Sequence, residues 1–244
     1  MRIDGLYDEL QQFGAAEGSG AIAELLRKHA DELGYASFIY ALRVPATFAD
    51  AKVVQIKGYP DAWLDRYWEA SYYAVDPVID YCTHHILPIE WDRLVPRMSA
   101  AGRRMMGAAG EFGLQNGVSM PIHGAHGELG ILSFARRHGP PLSRAGRRRV
   151  LGTVQLIAAH AHEAVRRVER LVEATPVILS ARELECLRWA ADGKTSWEIS
   201  RIANISERTV NFHFDNSVAK LGASNRQHAI AKAITLGILS PRPF

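Results

Sequence analysis

Cysteine is nearly missing from this chain. Its 244 residues hold two, Cys82 and Cys186, far apart and neither in a CxxC pair. That usage offers no disulfide scaffold and points to a reduced, cytoplasmic compartment. No run reaches about 18 uninterrupted apolar residues, so no membrane-spanning helix is expected. The opening MRIDGLYDELQQFG lacks the apolar core of a secretory leader. A GxGxxG, a P-loop and an internal repeat are also missing, which argues against dinucleotide, nucleoside-triphosphate and solenoid classes. No charge of one sign dominates: the net is +3, with 48% hydrophobic and 23% charged residues. Such a balance suits one large globular domain or two unequal ones.

The small excess of positive charge is unevenly placed. Nine Lys/Arg and six acids fall between Val177 and Phe244, and the remainder balances at 20 of each. A basic module facing phosphates and plain chance both account for that excess.

Apolar spacing predicts helix over the first thirty residues through Leu6, Leu10, Phe13, Ile22, Leu25, Leu26 and Leu33. YASFIYALRV (35–44) and KVVQIK (52–57) read as strands. Pro60 suits the first turn of a helix running to about Tyr72. NGVSMPIHG (116–124) and GELGILSFARR (127–137) are two more strands joined by turn residues, and Pro121 marks its strand as an edge or bulge. The order is helix, two strands, helices, two strands, helix. It predicts an α+β chain whose first part is an α/β/α sandwich with a mainly antiparallel sheet. A long helix over 144–172 carries Val150, Val154, Ile157, Ala161, Ala164, Val168 and Leu171 at alternating four- and three-residue steps. That seam suits either the helix's own sheet or a second subunit. Pro176 closes it, and 172–179 read as a linker.

From Ser180 onward the text is dense in helix punctuation. Ser180-x-x-Glu183, Thr195-x-x-Glu198 and Ser224-x-x-Gln227 have the form of capping boxes. Gly193, Gly222 and Gly237 stand where helices should end. Four helices result, near 181–192, 196–203, 207–221 and 225–236, and Asn204-Ile205-Ser206 gives the middle pair helix-turn-helix spacing. In the third, Val210, Phe214, Val218 and Leu221 form the core face. Arg208, Asn211, Phe212 and Asp215 form the opposite face, where base edges would be read. Lys194, Lys220, Asn225 and Arg226 are candidate phosphate holders. Any one of these could equally be a solvated surface residue, although Phe212 is an odd choice for one.

SARELECLRWAADGKTSWEISRIANISERTVNFHFDNSVAKLGASNRQHAIAKA resembles the DNA-binding domain of LuxR-type regulators over the whole module. Glu183, Leu187 and Gly193 stand at that family's hallmark positions, and TVNFHFDNSVAKLG is similar to its recognition helix. The resemblance implies a homodimer on two-fold symmetric DNA, with RNA polymerase as a further partner.

The first domain carries six of the chain's aromatic rings within YPDAWLDRYWEASYYAVDP, residues 59–77. A Trp/Tyr stripe at helical spacing is ordinarily core, and Asp76 before Pro77 is ordinarily a turn or cap residue. Here Trp63, Tyr67, Asp76, Pro77, Trp91 and Gly117 are similar, at matching spacing, to the acyl-homoserine-lactone sensing domain of the same family. DPVIDYCTHHILPIEW and GVSMPIHGAHGELGILSFA resemble LasR-type receptors in particular. The resemblance implies an autoinducer-binding domain over 1–171 and a DNA-binding domain over 180–244. It implies that the Trp63 indole donates to the lactone carbonyl and that Asp76 accepts from the ligand amide. Tyr67 and Ser133 would serve the acyl carbonyl, Trp91 would pack on the head group and Tyr59 would flank the polar end. Gly117 would permit close backbone approach. Ile39, Leu42, Val78, Cys82 and Leu129 would line the tail, each buried CH₂ contributing about 0.8 kcal/mol.

No cofactor or metal is expected: His84-His85 and His160-x-His162 lack acid or cysteine partners at ligand spacing. No enzyme is expected either, because Cys82 has no evident base beside it. The alternatives are a LuxR-type regulator answering another apolar signal, and a lactone hydrolase.

Overall fold

The computed structural model describes residues 3–45, 50–124, 127–139, 143–171 and 177–239. They divide into two compact units, one built from residues 3–44, 52–124 and 128–171 and a helical one that holds residues 177–239. The linker expected at 172–179 falls largely on 172–176, outside the described residues.

The first unit is built on five strands: β1 (Ser37–Pro45), β2 (Ala51–Gly58), β3 (Ile89–Glu90), β4 (Asn116–His123) and β5 (Leu129–Arg136). Their order across the sheet is β2-β1-β5-β4-β3. The pairs β1/β5, β4/β5 and β3/β4 are antiparallel. Pro121 is not on an outer strand, but β3 pairs only with Val118 and Ser119, so Pro121 lies beyond it and costs the sheet no ladder bond there.

Strand alternation sends successive side chains to opposite faces. Phe38, Tyr40 and Leu42 of β1 and Leu132 and Phe134 of β5 join one core with α1 (Ile3–Ala15), α2 (Ser19–Glu32) and α6 (Arg144–Val168). Val150, Val154, Ile157, Ala161 and Ala164 of α6 are buried in it, so the seam belongs to the helix's own sheet. Fully burying a large apolar side chain contributes about 1.5–3 kcal/mol, and Tyr40, Phe13, Phe38 and Phe134 anchor this layer. The opening helix predicted as one is two.

The other face is covered by α3 (Asp61–Glu69), α4 (Pro77–His84) and α5 (Ala100–Glu111), which bury a second and separate core. α3 ends three residues before Tyr72, where Ser71 takes a left-handed turn at φ 52°. The sandwich of helix, antiparallel sheet and helix is as its sequence pattern predicts.

The helical unit contains α7 (Ala181–Ala191), α8 (Ser196–Ala203), α9 (Glu207–Leu221) and α10 (Arg226–Thr235) around Cys186, Leu187, Ile199, Val210 and Phe214. The boxes at Ser180/Glu183 and Thr195/Glu198 form with both bonds in place. The third does not. Asn225, one residue later, caps α10 by accepting from the His228 amide, and Ser224 bonds the His228 ring instead. The helix-stop glycines 193, 222 and 237 all have positive φ, a setting that costs glycine nothing.

Candidate functional site

Tyr59, Trp63, Tyr67, Val78, Cys82, Trp91 and Ile39 all belong to the second core, on the α3–α4–α5 side of the sheet. The four-residue step puts Trp63 and Tyr67 on one face of α3, with ring centroids 5.8 Å apart. Tyr72 stacks on Trp63 at 5.7 Å and Phe112 of the α5 end approaches it at 5.6 Å. Trp68 and Tyr73 leave that face, pair with each other and stay exposed.

Asp76 does two jobs. One carboxylate oxygen caps α4 by accepting from the Val78 amide at 2.8 Å, with Pro77 at the first helical position. The other accepts from the Tyr67 hydroxyl at 2.8 Å. The residue keeps some exposed surface, yet its carboxylate is enclosed. That burial raises its pKa against the opposing pull of the Tyr67 and Val78 bonds. The Ile79 amide adds to the donors around it, and a carboxylate offers about four acceptor sites, so a further donor can still be taken. The Tyr59 hydroxyl is buried, with the Ser133 hydroxyl as its polar neighbour. Burial, then the Asp76 charge, pushes its pKa up, with the Ser133 hydroxyl acting the other way. Burial and Asp76 likewise push the Cys82 thiol up to about 12, so it carries no thiolate at neutral pH.

Ser133 sits on β5 directly opposite Ile39 and Ser119. Its hydroxyl bonds Ser119 at 2.7 Å, and Ser119 accepts the Trp91 indole N–H at 2.9 Å. Ser119 was not singled out from sequence. Pairing Ser133 with it needs the strand register, which no local pattern reveals. At Gly117 a Cβ would stand 2.5 Å from the Trp91 ring, so the lack of a side chain there seats Trp91.

Two tail candidates are sorted by strand parity. Leu129 shares the face of Ile131 and Ser133. Leu42 does not: it is fully buried in the core against α6, opposite Gly130, and is removed from the site. Leu42 stands three residues from Ile39, an odd step that sends the two to opposite faces of the strand.

The histidine readings also resolve. His84 and His85 bond backbone carbonyls one turn back in α4, and His162 is buried against the Tyr40 hydroxyl at 2.7 Å.

In the helical unit, α8 ends at Asn204 in a left-handed turn and α9 starts at Ser206, whose hydroxyl accepts from the Thr209 amide. Val210, Phe214 and Leu221 are buried. Arg208, Asn211, Phe212 and Asp215 lie together on the exposed side, Phe212 at 59% exposure. Asn211 accepts from Ser196 at 2.8 Å, which fixes its amide and turns its NH₂ outward. Among the four phosphate candidates, three are occupied within the unit. Lys220 bonds both oxygens of buried Glu183, Asn225 is the α10 cap, and Arg226 lies 4.0 Å over the Phe214 ring while donating to Ser196 and the Lys194 carbonyl. They hold the helices that present α9, and the Lys194 side chain remains half-exposed.

A sensing layer with a polar centre among aromatic rings, joined in one chain to a helix-turn-helix, defines a ligand-responsive transcription factor. Comparison agrees. Residues 19–165 match the family model "Autoinducer binding domain", and residues 177–233 match "Bacterial regulatory proteins, luxR family". The chain is 38% identical over 250 aligned positions to the transcriptional activator protein AhyR of Aeromonas hydrophila, covering 99% of this chain and 94% of that one. Its fold is similar to that of Escherichia coli SdiA, with TM-score 0.78 at 30% identity over 97% of this chain and 99% of that one. It is also similar to SdiA in complex with octanoyl-rac-glycerol, with TM-score 0.79 at 29% identity over 98% and 97%. The chain belongs to the LuxR family of bacterial regulators and is a quorum-sensing transcription factor. Among the described residues no helix is long and apolar enough to cross a membrane.

Proposed function

We propose that residues 1–171 bind an N-acyl-homoserine lactone and that residues 180–244, as a homodimer, then bind a two-fold symmetric operator in the cytoplasm and meet RNA polymerase there. The observation that carries the reading is the Asp76 carboxylate, enclosed beside the aromatic cluster where the Tyr67 hydroxyl and the Val78 amide already donate to it. A ligand amide N–H buried there without an acceptor would cost about 1–3 kcal/mol, which Asp76 removes. The ligand amide donates to Asp76, Trp63 donates to the lactone carbonyl, and the tail runs among Ile39, Val78, Cys82, Ile131 and Leu129. Ligand bound only to the native state stabilises it by RT ln(1 + [L]/Kd), so folding and signal are coupled. At the DNA, Arg208, Asn211, Phe212 and Asp215 read base edges, with Lys194 toward phosphate.

The SdiA complex with octanoyl-rac-glycerol favours a second reading, a signal with an acyl tail and a different polar head. Mass spectrometry of ligand carried through purification decides: an acyl-homoserine lactone supports the first reading, an acylglycerol the second. The chain is not proposed as a hydrolase, since the Cys82 thiol is held protonated by its burial. Protein incubated with lactone should return it intact.

A further inference from the structure

We propose that Ser119 is a positioning residue for the signal. It takes the Trp91 indole N–H, hands its own proton to Ser133, and so fixes Ser133 as a donor toward a carbonyl oxygen of an acyl ligand. The inference rests on the ligand site proposed above, and adds to it a residue that acts through its neighbours and not by touching the ligand.

The direction of this chain follows from counting protons. Ser119 of β4 stands directly opposite Ser133 of β5, with their hydroxyls 2.7 Å apart. Both side chains are buried, so neither turns to bulk water. Trp91 Nε1 reaches Ser119 Oγ at 2.9 Å. An indole only donates, whereas a hydroxyl has one proton to give and two acceptor sites. Among the described residues, the Ser119 hydroxyl bonds these two groups alone. Trp91 cannot accept, so the Ser119 proton has one destination, the Ser133 oxygen. The reverse sense, with Ser133 donating, would strand a buried O–H on Ser119 and is disfavoured by at least about fivefold.

Ser133 therefore keeps its own proton for a further acceptor. It shares the strand face of Ile39 and Ile131, which pack against the aromatic cluster, and its polar neighbour there is Tyr59. Given to a ligand oxygen, the proton ends the chain; passed to Tyr59, it leaves the Tyr59 proton free in turn. Either way this end of the site offers a proton, while the Asp76 carboxylate accepts one. A secondary amide, with one carbonyl and one N–H, matches both senses. Donors in series polarise one another, so the Trp91 bond also strengthens what Ser133 gives.

The test uses full-length protein loaded with N-octanoyl-homoserine lactone and exchanged against its thioamide, in which sulfur replaces the acyl oxygen. The thioamide keeps the N–H for Asp76 but is a much weaker acceptor. Mass spectrometry of the bound fractions gives the amide-to-thioamide affinity ratio. Ser119→Ala should lower that ratio by about threefold or more, because Ser133 loses the group that aims and polarises it. Ser119→Thr keeps a hydroxyl and should retain the wild-type ratio. In a Ser133→Ala background, Ser119→Ala should leave the ratio where it is. A purely structural role would weaken both probes together, so a ratio unaltered by Ser119→Ala in the otherwise native chain overturns the inference. If that variant does not fold, Ser119→Cys decides, since a thiol is similar in shape and donates weakly; a wild-type ratio there also overturns it. Wild type that carries neither probe would overturn the lactone reading itself, and this inference with it.

Discussion

Gly117→Ala puts the packing of the sensing layer to a quantitative test. The new Cβ would lie 2.5–2.7 Å from three carbons of the Trp91 ring. Carbon atoms in ordinary contact stand about 3.5–4.0 Å apart, so the ring must retreat by roughly 1 Å. Trp91 is buried, and its N–H reaches Ser119 at 2.9 Å, so that retreat breaks the bond. Overpacking costs about 1–3 kcal/mol, and a lost buried hydrogen bond about 0.5–1.5 kcal/mol. A central value near 3 kcal/mol lowers Tm by about 6–12 °C in a domain of this size. Calorimetry at one fixed ligand concentration measures it, since ligand itself moves Tm. The decisive step is the double-mutant cycle. In a Trp91→Leu background the ring is gone, and Gly117→Ala should then cost under about 1 kcal/mol. The same penalty in both backgrounds would refute the reasoning, because the cost would then come from backbone and not from the ring.

Asp76→Ala removes both a helix cap, about 0.5–2 kcal/mol, and the acceptor of the Tyr67 hydroxyl, about 1–3 kcal/mol. Asp76→Ser keeps a capping oxygen, so it should be the more stable of the two in thermal melts while both lose ligand response; a serine variant that titrates ligand normally would remove Asp76 from the site. Asn211→Ala should weaken operator binding by about 1–3 kcal/mol with ligand binding intact, and an unaltered footprint would show that the reading face is misplaced. Glu183 carries the pH prediction. Its burial raises its pKa, but the bonds from Lys220 and Ser180 outweigh that and hold it below the ordinary value. The stability this brings is present above the unfolded pKa, near about 4.3, and is lost as pH falls through the folded one. Acid titration by circular dichroism should show that loss in wild type and not in Glu183→Gln; parallel curves would disprove the coupling.

The DNA-binding unit was legible almost residue by residue, because capping residues and stop glycines are local signals. Its capping slip, Ser224 for Asn225, is a single step between two good cap formers. The sensing unit was legible as strands and helices but not as faces. Ile39 and Leu42 look alike in the sequence and point into different cores, and Ser119 gains its meaning only from a partner fourteen residues away. The roles of Lys220 and Arg226 were hidden for a related reason. A basic side chain near a recognition helix does not show in the sequence which partner it takes within its own unit, here a glutamate and a phenylalanine.

The sheet's two-sidedness constrains how such a receptor can diversify. β1 and β5 each lend alternate residues to the structural core and to the aromatic cluster. Substitutions at Ile39 or Ile131 can therefore reshape what the cluster accepts while Tyr40 and Leu132 hold the scaffold. Losing or gaining a single residue within either strand would exchange the two sets at a stroke. Changes of signal preference in this lineage should thus accumulate as point substitutions at odd-numbered positions of these strands, with length variation confined to the loops that join them.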